Sequence, residues 1–472
     1  MKKAALQTIK YQVWDGLAAI LAYTTLFVFR KLVVEAEKFG LTNLEFSQSY
    51  YIGLVVIPVF WLTIYNITDF YRDIYRRSRL RDLFYSFNSS LLGSIFIFFT
   101  LILDDPVSSY TDYYRGFLVY FCSHFFFTAF FRTLLSTRTA YRTRSGKIAF
   151  NTLMIGSNEK AAELYAKLES RDNRKTGHHF VGFASVDNNI RFLLEKNLEH
   201  LGNHQELPSI IEKYEVEEVI IAIESSEHNK LEEVVNLLEA SQVKIKMIPD
   251  TYDIISGKVR MESMRSIPLV EINHQLMPGW QMVLKRLFDI ISSLLVFTLL
   301  SPLLLIVTLI TRFSDKGPVF FKQKRVGIQG REFYMYKFRS MVVDAEKDGP
   351  QLSSELDERI TPWGRIMRKY RLDELPQFYN VLVGDMSIVG PRPERRYFME
   401  LISKHAPHYR YLQKVRPGIT SWGMVKFGYA SNVEEMVERL KYDVIYIENM
   451  SLLNDIKILI YTVIIVLQGR GK

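Results

Sequence analysis

The chain has 472 residues, with 60 Lys and Arg against 51 Asp and Glu, a net charge of +9. That length predicts two to four domains at roughly 150 residues each, and charge of that sign suits nucleic acid or an anionic membrane surface. The 32 Phe and 27 Tyr, dense in the first third, make membrane lipid the expected partner rather than nucleic acid, and the single Cys122 excludes a disulfide framework or a Cys-based metal site within one chain.

The basic N-terminus, "MKKAALQTIKYQVWDG", lacks a compact apolar core ending in a small-residue cleavage site. It reads as the flank of a retained transmembrane helix rather than a signal peptide. Four apolar stretches follow, at residues 16–28, 51–67, 91–103 and 116–135. The first and third borrow aromatic or small polar flanks to approach the ~20 residues that a bilayer requires. A buried helical bundle in water is the competing reading. Loop charges predict the orientation. Lys2, Lys3 and Lys10 precede the first stretch; Arg72, Arg76, Arg77, Arg79 and Arg81 separate the second from the third; Arg132, Arg138, Arg142, Arg144 and Lys147 follow the fourth. The loop between the third and fourth carries Arg115 beside Asp104, Asp105 and Asp112. The positive-inside tendency then puts both ends of this bundle in the cytoplasm, although Arg30, Lys31 and Lys38 fit less well.

From residue 148 the pattern changes. "FNTLMIGS", "HHFVGFAS", "VEEVIIAI" and "VKIKMIP" alternate with helical stretches such as "NEKAAELYAKLES" and "HNKLEEVVNLLEAS", which predicts a parallel α/β sheet. Gly156 stands alone where a dinucleotide fold carries G-x-G-x-x-G, so a Rossmann-like domain without dinucleotide binding is expected. His200 and His204 are four apart, a metal-ligand spacing on a helix, but Gly202 between them argues for a surface loop. Residues 273–281, "NHQLMPGWQ", read as a linker.

The next apolar run, residues 287–311, is long enough to span. Basic residues flank it on both sides, Lys285 and Arg286 before, Arg312 and Lys316 after, and Ser301-Pro302 interrupts it. A re-entrant hairpin that returns to its own side satisfies both facts; an ordinary proline-kinked span is the alternative.

Behind it lie four clusters: "GPVFFKQKRVGIQGREFYMYKFRSM", "DERITPWGRIMRKYRLDELPQ", "NVLVGDMSIVGPRPE" and "KVRPGITSWGMVKFG". Singly, each has a bland explanation: a solvated basic face, a rigid turn, or acidic residues favoured by a helix dipole. Together they suit phosphate chemistry. Lys337, Arg339, Arg368 and Arg392 are candidates to clamp a diphosphate. The adjacent Asp373 and Glu374 are candidates to hold Mg²⁺ while one attacks phosphorus. Arg368 and Asp373 are five residues apart, about 140° around a helix, so a joint role needs a helix end between or near them; Pro376 suggests one.

These motifs, in this order from "KRLFDI" through "KFRSM", "LDELPQ", "GDMSIVGPRP" and "VRPGIT", resemble the bacterial sugar transferase family of polyisoprenyl-phosphate hexose-1-phosphate transferases over about 190 residues. The whole chain resembles the long form of these enzymes. The resemblance implies a membrane α-helical bundle (1–147), a Rossmann-like, CoA-binding-like α/β domain for regulation or assembly (148–276) and a monotopic α/β transferase domain with a re-entrant membrane helix (277–472). It implies transfer of hexose-1-phosphate from a UDP-hexose to undecaprenyl phosphate, releasing UMP, at the cytoplasmic face of the bacterial inner membrane, as the first step of exopolysaccharide, capsule or O-antigen synthesis. Asp373 would be the nucleophile, Glu374 would bind Mg²⁺ with it, and Arg368 would hold a phosphate. Pro391, Arg392 and Pro393 would shape the nucleotide-sugar pocket, with Ser301 and Pro302 at the re-entrant break. Two-fold pairing of protomers is a further expectation. The other readings are a nucleotide-sugar oxidoreductase, which needs the missing glycine fingerprint, and a membrane scaffold or nucleotide-sensing regulator.

Overall fold

The computed structural model describes residues 2–36, 40, 44–72, 74–75, 79–102, 110–170, 177–186, 193–223, 228–239, 241, 243–249, 269–272, 276–314, 317–345, 347, 349, 351, 357–428, 430 and 432–468. Lys38, Arg76, Arg77, Asp104, Asp105, Asn273, His274, Gln275 and Lys316, which the sequence reading used, lie outside them. The chain divides into two compact units, Met1–His274 and Gln275–Lys472.

The first unit opens with α1 (Lys2–Phe29), α2 (Gln48–Ile67), α3 (Arg79–Ile97) and α4 (Tyr110–Arg144). Each is long and apolar enough to cross a membrane. α3 starts well before the apolar stretch at 91–103 because its buried side is polar: Asp82, Ser86, Ser90 and Ser94 recur every four residues and face inward. Small polar residues at that period let helix backbones approach and bond across the interface. Ser90 Oγ lies 2.9 Å from His124 Nδ1, and the His124 ring stacks 3.6 Å from Trp61. Arg132, counted above among loop charges, is instead inside the bundle. Its Nε and Nη2 donate to the two oxygens of Asp15 at 2.8 and 3.0 Å, and its Nη1 donates to Ser86 Oγ at 2.9 Å. Arginine needs several acceptors when it leaves water, and only helices already in contact supply them.

The same unit continues into β1 (Phe150–Ile155), α5 (Glu159–Glu169), β2 (His178–Ser185), β3 (His200–Asn203), α6 (Leu207–Lys213), β4 (Glu218–Ile221), α7 (His228–Glu239), β5 (Lys244–Met247) and β6 (Val270–Ile272). Strand order is β3-β2-β1-β4-β5-β6, all parallel except β6. Both faces are apolar: Leu153, Ile155, Val219 and Ile245 pack on one, Met154, Phe183 and Ile220 on the other. Gly156 has φ +122, and a Cβ there would sit 2.4 Å from the Ala222 carbonyl oxygen, so close strand packing accounts for this glycine without any ligand. The segment around Gly202, expected to be a loop, is the edge strand β3 leading into a turn. His200 Nε2 lies 3.0 Å from Ser185 Oγ, and His204 is buried near Glu233 rather than on the surface. Among the described residues, no cluster of His, Cys, Asp and Glu is arranged to hold a metal.

The second unit begins with α8 (Gly279–Leu299) and α9 (Ser301–Ser314), bent by 65° at the break between them. Pro302 lacks the N–H that would bond the Thr298 carbonyl; Ser301 Oγ donates to that carbonyl at 2.8 Å. The Ser-Pro pair thus makes the bend and satisfies the acceptor it frees. The hairpin β7 (Phe320–Val326) and β8 (Glu332–Phe338) follows, then α10 (Pro362–Lys369), α11 (Gln377–Val383), β9 (Ser387–Val389), α12 (Arg396–His405), β10 (Gly418–Thr420), α13 (Trp422–Lys426), α14 (Val433–Glu448) and α15 (Leu452–Leu467). β9 pairs in parallel with β10. Val381, Ile388, Ile402, Leu440 and Ile447 form the main core.

Candidate active site

The "LDE" of residues 372–374 is a short 3-10 turn between α10 and α11. α10 stops at Lys369, and Arg371 takes a left-handed conformation (φ 55°, ψ 26°) that turns the chain inward. The helix end therefore falls between Arg368 and Asp373, upstream of Pro376. Asp373 and Glu374 are only 6% and 5% exposed, so they are not the solvated first turn of a helix.

α10 is placed by its own start. Thr361 caps it by accepting the Gly364 N–H at 3.0 Å. A Cβ on Gly364 would sit within 1.9 Å of the Ser340 carbonyl oxygen, so glycine is what lets the helix rest on that strand end. Arg368 then reaches Ser340, Nε to Oγ 3.0 Å. α11 is docked by Asn380, whose Nδ2 donates to Tyr334 O at 2.7 Å and whose Oδ1 accepts from Tyr336 N at 3.1 Å. These contacts register β8 against the turn.

That register brings Lys337 Nζ to Glu374 Oε1 at 2.9 Å. Arg371 Nη1 lies 3.4 Å from Glu374 Oε2, and Arg392 Nη1 lies 3.9 Å from Oε1. Burial pushes the Glu374 carboxyl up, but Lys337, Arg392 and Arg371 outweigh it and hold it down at about 2. Asp373 goes the other way. Burial raises it above the ordinary aspartate value, Lys337 and Arg368 pull it back only in part, and ionised Glu374 adds to the rise. Burial also lowers the Lys337 ammonium, against the pull of Glu374 and Asp373.

Of the residues expected at the site, the structure gathers Lys337, Arg368 and Arg392 around the pair. Arg339, just past the end of β8, is buried with its guanidinium against Gly317. Pro391, Arg392 and Pro393 line a cavity with Tyr409, Gln413 and Pro417; at about 20 Å³ it has room for a water but not for a nucleoside as it stands. Glu394, just beyond, is clamped by Arg325 at 3.2 Å and Arg439 at 2.6 Å, which fixes this loop. Ser301 and Pro302 mark the α8–α9 bend. Arg371 was missed: it stands beside the pair in sequence, but only its left-handed backbone turns it back onto Glu374.

Residues 280–469 match the family described as bacterial sugar transferase, and residues 67–249 match a family described as CoA-binding domain. An uncharacterised sugar transferase of Bacillus subtilis is 38% identical over 190 residues, which cover 40% of this chain and 90% of that protein. The chain belongs to the bacterial sugar transferase family. Another relative in the family, the UDP-N-acetylgalactosamine-undecaprenyl-phosphate N-acetylgalactosaminephosphotransferase of Aeromonas hydrophila, is 39% identical over 228 residues, 48% of this chain and 52% of its own length. The UDP-glucose:undecaprenyl-phosphate glucose-1-phosphate transferase of Xanthomonas campestris is 34% identical over 301 residues, 62% of each. The chain thus spans about half to three-fifths of the length of these two transferases.

Proposed function

We propose that the chain transfers hexose-1-phosphate from a UDP-hexose to undecaprenyl phosphate, giving the undecaprenyl-diphosphate sugar and UMP, the priming step of a surface polysaccharide. The observation that carries this reading is the buried Asp373–Glu374 pair ringed by Lys337, Arg371 and Arg392 within the family-matched region. An oxygen of Asp373 attacks the phosphorus bearing the sugar, the Asp373–O–P bond forms, and the P–O bond to UMP breaks. An oxygen of undecaprenyl phosphate then attacks that phosphorus and frees Asp373. Lys337, Arg368 and Arg392 bind and orient the phosphoryl oxygens; Pro391 and Pro393 shape the nucleotide side.

Asp373 and Glu374 fit a hard divalent cation as donors. Both are carboxylates buried side by side, and Lys337 and Arg368 act on Asp373 where Lys337, Arg392 and Arg371 act on Glu374. Mg²⁺ bound there would neutralise diphosphate charge. Removal by EDTA is expected to abolish UMP release, with recovery on adding Mg²⁺ or Mn²⁺ but not Ca²⁺, whose larger, looser shell suits a compact diphosphate site poorly. Full turnover in a chelator removes the metal from this mechanism.

We read the sheet as Rossmann-like, supported by its strand order, and the α8–α9 bend as re-entrant, supported by basic residues on both flanks. The basic loops favour a cytoplasmic catalytic unit at the inner membrane, after a membrane bundle (1–147) and an α/β domain (148–276) that serves regulation or assembly, including two-fold pairing. Deleting residues 1–270 is then expected to leave a monomer with part of its UMP-releasing activity in detergent. Light scattering and a UMP assay on the reconstituted fragment check both; a folded but inactive fragment defeats this division of labour. A panel of UDP-sugars assigns the sugar.

A further inference from the structure

A second cavity, about 270 Å³, opens between α8, β9 and α15. Its walls are hydrocarbon: Leu284 and Phe288 from α8, Ile388 and Val389 from β9, Ile456 and Leu459 from α15. The charged groups at its base are matched to each other. Lys285 Nζ bonds Asp455 Oδ2 at 2.5 Å and the Val389 carbonyl at 2.8 Å, and Asp289 Oδ1 accepts the Ile388 N–H at 3.0 Å. These ammonium and carboxylate groups are already engaged within the fold, so the space suits neither a phosphate nor a metal. Water suits it poorly as well, because each buried water needs two to four polar partners.

We propose that this cavity takes a segment of the polyprenyl chain of the lipid acceptor. The proposal rests on the transferase reading above. Two observations choose this occupant. First, the rim is continuous with exposed apolar surface of the kind a bilayer covers. Leu284, Phe288 and Ile456 are about half exposed there, and the apolar surface runs on through Leu287 and Ile291 of α8 and Ile460 and Val463 of α15. A lipid chain enters from the bilayer without crossing water. Second, the floor strand leads to the acidic pair. Val389 is three residues before Arg392, at most about 10 Å of extended chain, and Arg392 lies 3.9 Å from Glu374. A chain seated against β9 therefore holds its phosphate end within the neighbourhood of Asp373, whereas the acyl chain of a bulk phospholipid has no reason to lie there.

Each methylene withdrawn from water or loosely ordered lipid is worth at most about fourfold in affinity, so losing a few contacts is measurable. The full-length enzyme carrying Ile456→Trp, which fills the cavity from the α15 side, is expected to show a KM for undecaprenyl phosphate raised about tenfold or more, with the KM for the UDP-sugar unmoved. A diazirine-bearing prenyl phosphate is expected to label peptides of α8 and α15 in the wild type and to lose that labelling in the variant. An unchanged acceptor KM in a folded Ile456→Trp enzyme overturns the proposal, as does labelling confined to other helices or an acyl phospholipid probe that labels the cavity in place of the prenyl one. Should that variant not fold, Leu459→Ala enlarges the same space, and its acceptor KM is expected to rise severalfold; no rise is again fatal. A wild type that releases no UMP from any UDP-sugar refutes the transferase reading instead, while the labelling experiment still decides the cavity.

Discussion

Asp373→Asn is expected to lower turnover by at least about 10³-fold, the scale of losing a covalent nucleophile, while leaving the protein folded and at least as stable as wild type. The second half of that expectation comes from the site's electrostatics. Burial raises the Asp373 carboxyl above its ordinary value, so the folded state binds its proton more tightly than the unfolded state does. Ionised Asp373 therefore costs stability at neutral pH, and the cost is relieved as pH falls through the raised value. Asparagine removes both the cost and that pH dependence. Glu374→Gln is expected to do the reverse. Its carboxyl is held down at about 2, so it contributes stability above the ordinary glutamate value that is lost only as pH falls towards 2. Glutamine leaves Lys337 and Arg371 without their shared counter-charge, and breaking a buried pair of this kind costs about 3–5 kcal/mol. Thermal unfolding in EDTA beside a UMP-release assay tests the pair together. An Asp373→Asn enzyme with near wild-type turnover would end the covalent mechanism, and equal loss of stability in both variants would end the electrostatic asymmetry.

The linear order of motifs made the chemistry of the second unit readable, because phosphate chemistry needs many cations and few carboxylates, and "LDELPQ" and "GPRP" supply them close together in sequence. What stayed hidden was direction. Arg339 and Lys337 are two residues apart at one strand end; Lys337 bonds Glu374, while the Arg339 guanidinium lies against Gly317. Arg371 reaches Glu374 through a left-handed backbone that nothing in its residue type announces. In the sheet, the four apolar strands were legible from their β-branched runs, whereas β3 was not: "HLGN" has no apolar run and earns its place only by pairing along the edge of β2. In the bundle, hydropathy located the helices but misread their polar residues. Arg132 looks like a cytoplasmic loop charge until α1 and α4 are packed side by side.

That buried arginine carries the other large expected effect. Arg132 and Asp15 are each 1% exposed, joined by two hydrogen bonds, and the guanidinium lies over the rings of Tyr65 and Phe70 at 4.1 and 3.5 Å, while Tyr71 donates to Asp15 at 3.0 Å. Arg132→Ala leaves the carboxylate among apolar and aromatic groups without its main counter-charge. Asp15→Asn leaves the guanidinium in the same position. Each single change is expected to destabilise the bundle by about 3 kcal/mol, the lower end for a broken buried pair because polar groups of a loosened membrane helix find other partners in the bilayer. Replacing both, with Asp15→Leu and Arg132→Met, removes the two charges at once and is expected to recover most of that loss, since a well-packed apolar pair is often as stable as the ion pair it replaces. Heat-induced unfolding of the wild type, Asp15→Leu, Arg132→Met and the double variant in one detergent, followed through intrinsic tryptophan fluorescence, gives the coupling energy from the cycle. A coupling near zero, with either single variant as stable as wild type, would mean that the Asp15–Arg132 pair does not hold α1 against α4.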